Sequence, residues 1–170
     1  MWLIACGDKQ EKTLQYDNQR AEEIPPIPFT TYKSSDDKEI GNVYMPTGFY
    51  SLTENEGVKM LKERSDEVYN LNRFPFVSVD DIIKVSLDKE PTDHDTITSI
   101  TMVLNIAGTK ALAEGTGNPK YPYMAVVITN KLLYIVKNVS NIKTGVMSIL
   151  LTGYSEDEIK GMVEAIKQKK

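Results

Sequence analysis

The chain has 170 residues, 41% hydrophobic and 26% charged, with a formal net charge of −4. This is globular composition sized for one ordinary domain, and its acidic balance excludes a nucleic-acid surface, which needs clustered Lys and Arg to neutralise phosphates. A single cysteine and a single histidine exclude an intramolecular disulfide and a cysteine-based zinc site, and no run approaches the roughly 20 apolar residues of a membrane-spanning helix.

At the N-terminus, Leu3-Ile4-Ala5-Cys6 reads as a lipobox: aliphatic, variable, small, then a cysteine whose thiol takes the lipid. The following Gly7-Asp8-Lys9-Gln10-Glu11-Lys12 turns abruptly polar, as a tether leaving a membrane should. The residues before Cys6 are too few for a complete signal core of roughly 7–15 apolar positions, so this reading expects a longer leader. A multiply acylated cysteine anchors stably where one chain does not. Asp8 stands two places after Cys6 rather than beside it, which points to the outer membrane. Residues 1–6 are thus expected to be the end of a lipoprotein signal and residues 7–28 a flexible tether. Pro25-Pro26-Ile27-Pro28 stiffens its last part.

Residues 29–170 are expected to form a single α+β domain, with N-terminal elements over 29–95 and a second part over 96–170. Phe29 to Lys33 suits an edge strand, Ser34 to Gly41 a polar turn, and Met45 to Leu52 an extended segment limited to a strand start by Pro46. Thr53-Glu54-Asn55-Glu56 has capping-box spacing and predicts a short helix carrying Val58, Met60 and Leu61. Val68 to Leu71 is a short strand, and Ser78 with Asp81 can cap one helical turn. Ile83, Val85 and Leu87 alternate with Lys84, Ser86 and Asp88, the period of a half-buried strand. Ile97 to Leu104 is apolar on both faces, which suits a central strand.

Asn105 caps a helix from about Ile106 to Glu114, ended by Gly115, Gly117, Asn118 and Pro119. Met124 to Ile128 and Leu132 to Val136 flank a hairpin turn in which Asn130 accepts positive φ. Val146 to Leu151 is a further strand. Ser155 and Glu158 form a capping box for the last helix, with Ile159, Met162, Val163 and Ile166 as its apolar stripe and Tyr154 as a staple onto Ile159. The resulting class is α+β, a mainly antiparallel sheet with helices on one face.

The segment Leu104-Asn105-Ile106-Ala107-Gly108-Thr109-Lys110-Ala111-Leu112, followed by Thr116, resembles a strand-to-helix passage in the SecD export subunit. That passage lies in the head subdomain of SecD's first periplasmic domain. Ala125-Val126-Val127-Ile128-Thr129-Asn130-Lys131 is similar to the family's AIVLDGK hairpin, and Leu151-Thr152-Gly153-Tyr154-Ser155-Glu156-Asp157-Glu158 to its closing turn and capped helix. The resemblance covers about residues 97–168 and implies a SecD-head-like C-terminal half in the cell envelope. It implies contact with emerging polypeptide rather than covalent chemistry. Thr129-Asn130 replaces the family's Asp-Gly turn, Leu133-Tyr134-Ile135 replaces a small-Ala-Pro element, and the transmembrane helices that couple SecD to proton flow are absent, so the fold is carried over and the motor role is not.

Candidate chemistry is sparse. Asp93-His94-Asp95 has no second histidine to complete a metal site and reads as a polar turn. Gly115-Thr116-Gly117-Asn118 follows a helix instead of opening one, so it reads as a helix end and not a phosphate loop. No spacing singles out a pair among the 24 acidic residues for hydrolysis. Phe74, Phe76, Tyr121, Tyr123 and Tyr134 are candidates for an interaction patch if exposed, and for core if not.

The expectation is a lipid-anchored envelope protein of the periplasmic or surface face, attached through Cys6, that binds a protein or another envelope component without catalysis, metal or cofactor. The alternatives are an export accessory that binds translocated chains and a carboxylate-based hydrolase. An aromatic groove favours binding, a deep polar cleft with two close carboxylates favours the enzyme, and an exposed sheet edge favours the export accessory.

Overall fold

The computed structural model describes residues 30–32, 43–54, 57–91 and 96–169. Cys6, the tether, the turn expected over 34–41 and Asp93-His94-Asp95 lie outside the described residues. The elements in chain order are β1 (Thr30–Tyr32), β2 (Gly48–Ser51), β3 (Val58–Leu61), β4 (Glu67–Leu71), β5 (Val77–Ser78), a 3-10 turn (Val79–Asp81), β6 (Ile82–Pro91), β7 (Thr96–Leu104), α1 (Ile106–Gly117), β8 (Tyr123–Ile128), β9 (Lys131–Lys137), β10 (Val146–Leu150) and α2 (Glu156–Lys167).

The strands form three antiparallel sheets, ordered β1-β4-β3, β10-β7-β6 and β5-β2-β8-β9. The four-stranded sheet lies between two hydrophobic cores. Met124, Val126 and Ile128 of β8 join the first core, with Phe49, the inner face of β10-β7-β6, Leu112 of α1 and the α2 stripe Ile159, Met162, Val163 and Ile166. Tyr123, Ala125 and Val127 join the second, with Tyr50, Leu52, Val58, Met60, Tyr69 and Leu71. Both helices therefore pack on one side of the central sheet, and the second core contains no helical residue. Leu132 and Leu133 of β9 enter different cores by the ordinary alternation of a strand, and the register shift opposite Val126 and Val127 leaves Leu133 as the extra residue without a partner on β8.

Local signals explain the best-defined elements. Ser155 Oγ accepts from the Glu158 amide, and the Glu158 carboxylate accepts from Ser155 N at 2.7 Å, a complete capping box. Asn105 Oδ1 accepts from Gly108 N at 2.7 Å and caps α1. Thr129 and Asn130 have φ of 49° and 64°, the left-handed pair of a two-residue hairpin turn. That turn is pinned by Met45 N donating to Asn130 Oδ1 and Thr129 N donating to Thr47 Oγ1.

Three expectations are corrected. Val58–Leu61 is a strand, not a helix: it pairs with β4 from Val58↔Leu71 to Leu61↔Val68, and Val58 and Met60 turn into the second core. A capping-box spacing ahead of four residues cannot offset helix nucleation, so the long-range pairing wins. Ile83 does not face the core; a bulge between Ile82 and Lys84 leaves it 60% exposed while Ile82 and Val85 turn inward. Helix α1 runs on to Gly117, so Gly115 lies within it and its missing side chain admits the Phe76 ring, whose atoms would stand 2.7 Å from a Cβ.

A surface cluster ties the two cores together. Arg64, in the β3–β4 turn, lies over the Tyr154 ring at 4.0 Å and donates from Nη2 to Glu158 Oε1 at 2.8 Å. The Ser155 backbone amide, the Ser155 hydroxyl and then Arg64 hold the Glu158 carboxyl down to about 2. A carboxyl depressed from 4.5 adds stability above that value and loses it as pH falls towards about 2. Glu158→Gln is therefore expected to lower the urea midpoint at neutral pH, with the gap to the parent closing between pH 4.5 and about 2. Midpoints measured by circular dichroism across that range check this, and a gap that stays constant with pH would contradict it.

Candidate functional site

Strand β10 ends the order β10-β7-β6, and among the described residues no strand pairs with its outer edge. Its register fixes which backbone groups that edge presents. Gly145 O accepts from Leu104 N at 2.8 Å and Leu151 N donates to Thr98 O at 3.4 Å, so odd-numbered residues bond inward to β7. In an antiparallel ladder a residue's N–H and C=O point to the same side. Those of Val146, Ser148 and Leu150 thus point outward. Thr144 Oγ1 takes both groups of Val146, at 3.4 and 3.3 Å, leaving Ser148 and Leu150 as the open donors and acceptors.

The side chains alternate in step. Met147 and Ile149 enter the first core, while Val146 and Leu150 are 41% and 40% exposed beside Ser148. Ser148 Oγ and Thr101 Oγ1 share a hydrogen bond of 2.7 Å on the outer face. The opposite edge strand, β6, carries a bulge, Pro91 and the charged Lys84, Asp88, Lys89 and Glu90, devices that discourage strand addition. Val146-Met147-Ser148-Ile149-Leu150 carries no charge and no proline. The two edges are guarded unequally.

A recess of about 370 Å³ opens beside the start of β10, lined by Leu104, Ile106, Thr109, Lys110, Ala113 and Lys143. Its wall on α1 has helical spacing, since Ile106, Thr109, Lys110 and Ala113 fall at i, i+3, i+4 and i+7. Gly108, Leu112 and Thr116 form the buried stripe of the same helix. The other wall is the segment before β10, which runs back along α1. Ile142 N donates to Thr116 Oγ1 at 2.9 Å. Gly145, with φ of +65°, lies so close to Thr109 that a Cβ would meet its Oγ1 at 2.3 Å. Ile106 is 90% exposed. Lys110 stands 3.8 Å from Glu114 in a highly exposed pair, and among the described residues Lys143 forms no ion pair. Over residues 96–154 the charged side chains are Lys110, Lys120, Lys131, Lys137, Lys143 and the single acid Glu114, in a chain of net charge −4.

The five aromatics divide between surface and core. Phe74 is 79% exposed between β4 and β5, and Tyr134 is 41% exposed on β9. Tyr121 is half-buried with the Lys120 ammonium 5.3 Å from its ring centroid. Phe76 packs against the first core, and Tyr123 is buried in the second. The structure therefore brings no single patch out of the five, because the central sheet separates Phe76 from Tyr123. Among the described residues no group of three His, Cys, Asp or Glu side chains could hold a metal ion, and no helix is long and apolar enough to cross a membrane.

Sequence reading misses both the edge and the recess. The edge depends on which strands pair, which no local pattern encodes. The recess has a faint signal: Ile106 is an apolar residue out of phase with the buried stripe of its own helix.

No protein-family model matches the sequence, and a search of curated proteins finds no match. Among solved structures the chain is similar to SecDF in its super-membrane-facing form, with a TM-score of 0.53 and 12% identity over 71% of this chain and 18% of the SecDF chain. The protein thus spans less than a fifth of that chain's length. The share of this chain exceeds residues 97–168, so the likeness reaches into the N-terminal strands. The fold is α+β, mainly antiparallel, and SecD-like.

Proposed function

We propose that this protein is a non-catalytic module of the bacterial cell envelope with an export-related role, accepting extended polypeptide along the open edge of β10. The observation that carries the reading is that edge, uncharged and unpaired among the described residues, on a SecD-like fold. Strand addition draws affinity from main-chain hydrogen bonds, so it tolerates many sequences, as a factor meeting translocated chains must. The lipobox-like Leu3-Ile4-Ala5-Cys6 and the polar stretch after it support attachment at Cys6, with the outer membrane as the favoured site.

Ser148→Pro removes one outward N–H without touching a backbone bond to β7, because proline is compatible with an edge position whose N–H faces solvent; the Ser148–Thr101 hydroxyl contact is lost equally in Ser148→Ala, which controls for it. Binding of a fluorescent, permanently unfolded polypeptide, read by anisotropy, is expected to weaken about tenfold or more in Ser148→Pro, as loss of about 1.4 kcal/mol requires. Ser148→Ala should bind as the parent does. Equal binding by Ser148→Pro, with its circular dichroism intact, would sink the edge reading. The anchor is tested separately by metabolic labelling with a fatty-acid probe: the full-length product should take up label and Cys6→Ala should not. Absence of label in both would remove the lipid attachment.

A further inference from the structure

The recess beside β10 has a chemistry of its own, and we infer that it selects among polypeptides by accepting an aliphatic side chain flanked by an acidic residue. This rests on the polypeptide-binding reading and names the class of segment preferred. The recess lining is aliphatic at Leu104, Ala113, the Thr109 methyl and the outlying Ile106, and Lys110 and Lys143 supply its charge. Its volume of about 370 Å³ falls at the small end of ligand pockets. That size suits part of a peptide, not a large cofactor.

Position joins it to the edge. Thr109, which lines the recess, meets Gly145, the residue before β10. Lys143 precedes Gly145 by two residues, and Thr144 closes the backbone of Val146 with its hydroxyl. A strand laid along Ser148 and Leu150 loses its main-chain partners at Val146. Its end there adjoins Lys143 and Thr144, the segment that walls the recess. Main-chain pairing then supplies affinity and the recess supplies preference, the division of labour seen in strand-addition sites. Among the described residues Glu114 is the one carboxylate paired with either lysine, at 3.8 Å and fully on the surface, so an incoming acid competes with little. An anionic membrane is the weaker fit, because recognition of acidic lipid surfaces uses clusters of about 4–8 Lys or Arg, twice or more what this recess offers.

The test uses the full chain and two labelled peptides of equal length, one alternating Leu with Asp and one alternating Leu with Lys, with anisotropy as readout. The acidic peptide is expected to bind about tenfold more tightly, with the difference shrinking as salt rises. Lys143→Glu should erase or reverse that preference, and Ile106→Asp, at a 90% exposed position, should weaken binding of the acidic peptide without altering the circular dichroism. Equal binding of the two peptides, or an unchanged preference in Lys143→Glu, would overturn the inference. So would binding to vesicles of mixed phosphatidylglycerol and phosphatidylcholine that needs Ile106 and Lys143 while neither peptide binds, which assigns the face to a membrane. If Ser148→Pro leaves acidic-peptide binding intact and Lys143→Glu abolishes it, the recess stands and the edge reading fails.

Discussion

Strand β8 is the constraint on which the remaining structure depends. All six of its residues, Tyr123 to Ile128, are buried. Successive side chains of a strand point to opposite faces, so burial of every one requires a packed layer on each side. Tyr123-Met124-Ala125-Val126-Val127-Ile128 shows no polar alternation, the mark of a strand covered on both faces. One cover is the second core, where Ala125 stands in register with the large Tyr50, whose hydroxyl donates to Pro46 O at 2.7 Å. The other is the first core, which takes both helices and the inner face of β10-β7-β6. Remove either layer and β8 exposes half its surface to water.

That arrangement also explains why the candidate site lies where it does. The central sheet uses its two faces for packing, and its flank at β9 meets the second-core hairpin through Glu63 N donating to Leu132 O at 2.8 Å. The three-stranded β10-β7-β6 sheet lends only one face to the core. Among the described residues no strand pairs with the β10 edge, and the recess forms where the segment entering β10 turns back along α1. The Arg64–Tyr154–Glu158 cluster fixes the start of α2 to the β3–β4 turn. The scaffold around the edge is thereby held by both cores.

What is legible in the sequence is local. Asn105, Ser155 and Glu158 announce helix starts because their side chains satisfy backbone amides within three residues, and Thr129-Asn130 announces a turn by conformational tolerance. The α2 stripe is likewise readable, since four apolar residues at helical spacing match one face of a helix and no strand period. What is not legible is pairing. Val58–Leu61 carries a local helix signal that loses to β4, and Ile83 is displaced by a bulge imposed by β7. The aromatics Phe76 and Tyr123 cannot be sorted from Phe74 and Tyr134 without knowing which faces the central sheet covers. The open edge is the extreme case, because β10 differs from an interior strand only in what does not pair with it. The SecD-like resemblance over about residues 97–168 rests on short motifs, and the fold likeness to SecDF extends it to 71% of the chain.

Residue-resolved amide hydrogen exchange, with and without a permanently unfolded polypeptide, tests the central claim most directly. In the free protein Met147 and Ile149 should exchange slowly through their bonds to β7, and Ser148 and Leu150 quickly. Added polypeptide should slow Ser148 and Leu150 while Met147 and Ile149 stay as they were. Protection of Ser148 and Leu150 before any polypeptide is added would show the edge already occupied, and no change on saturation would place binding elsewhere.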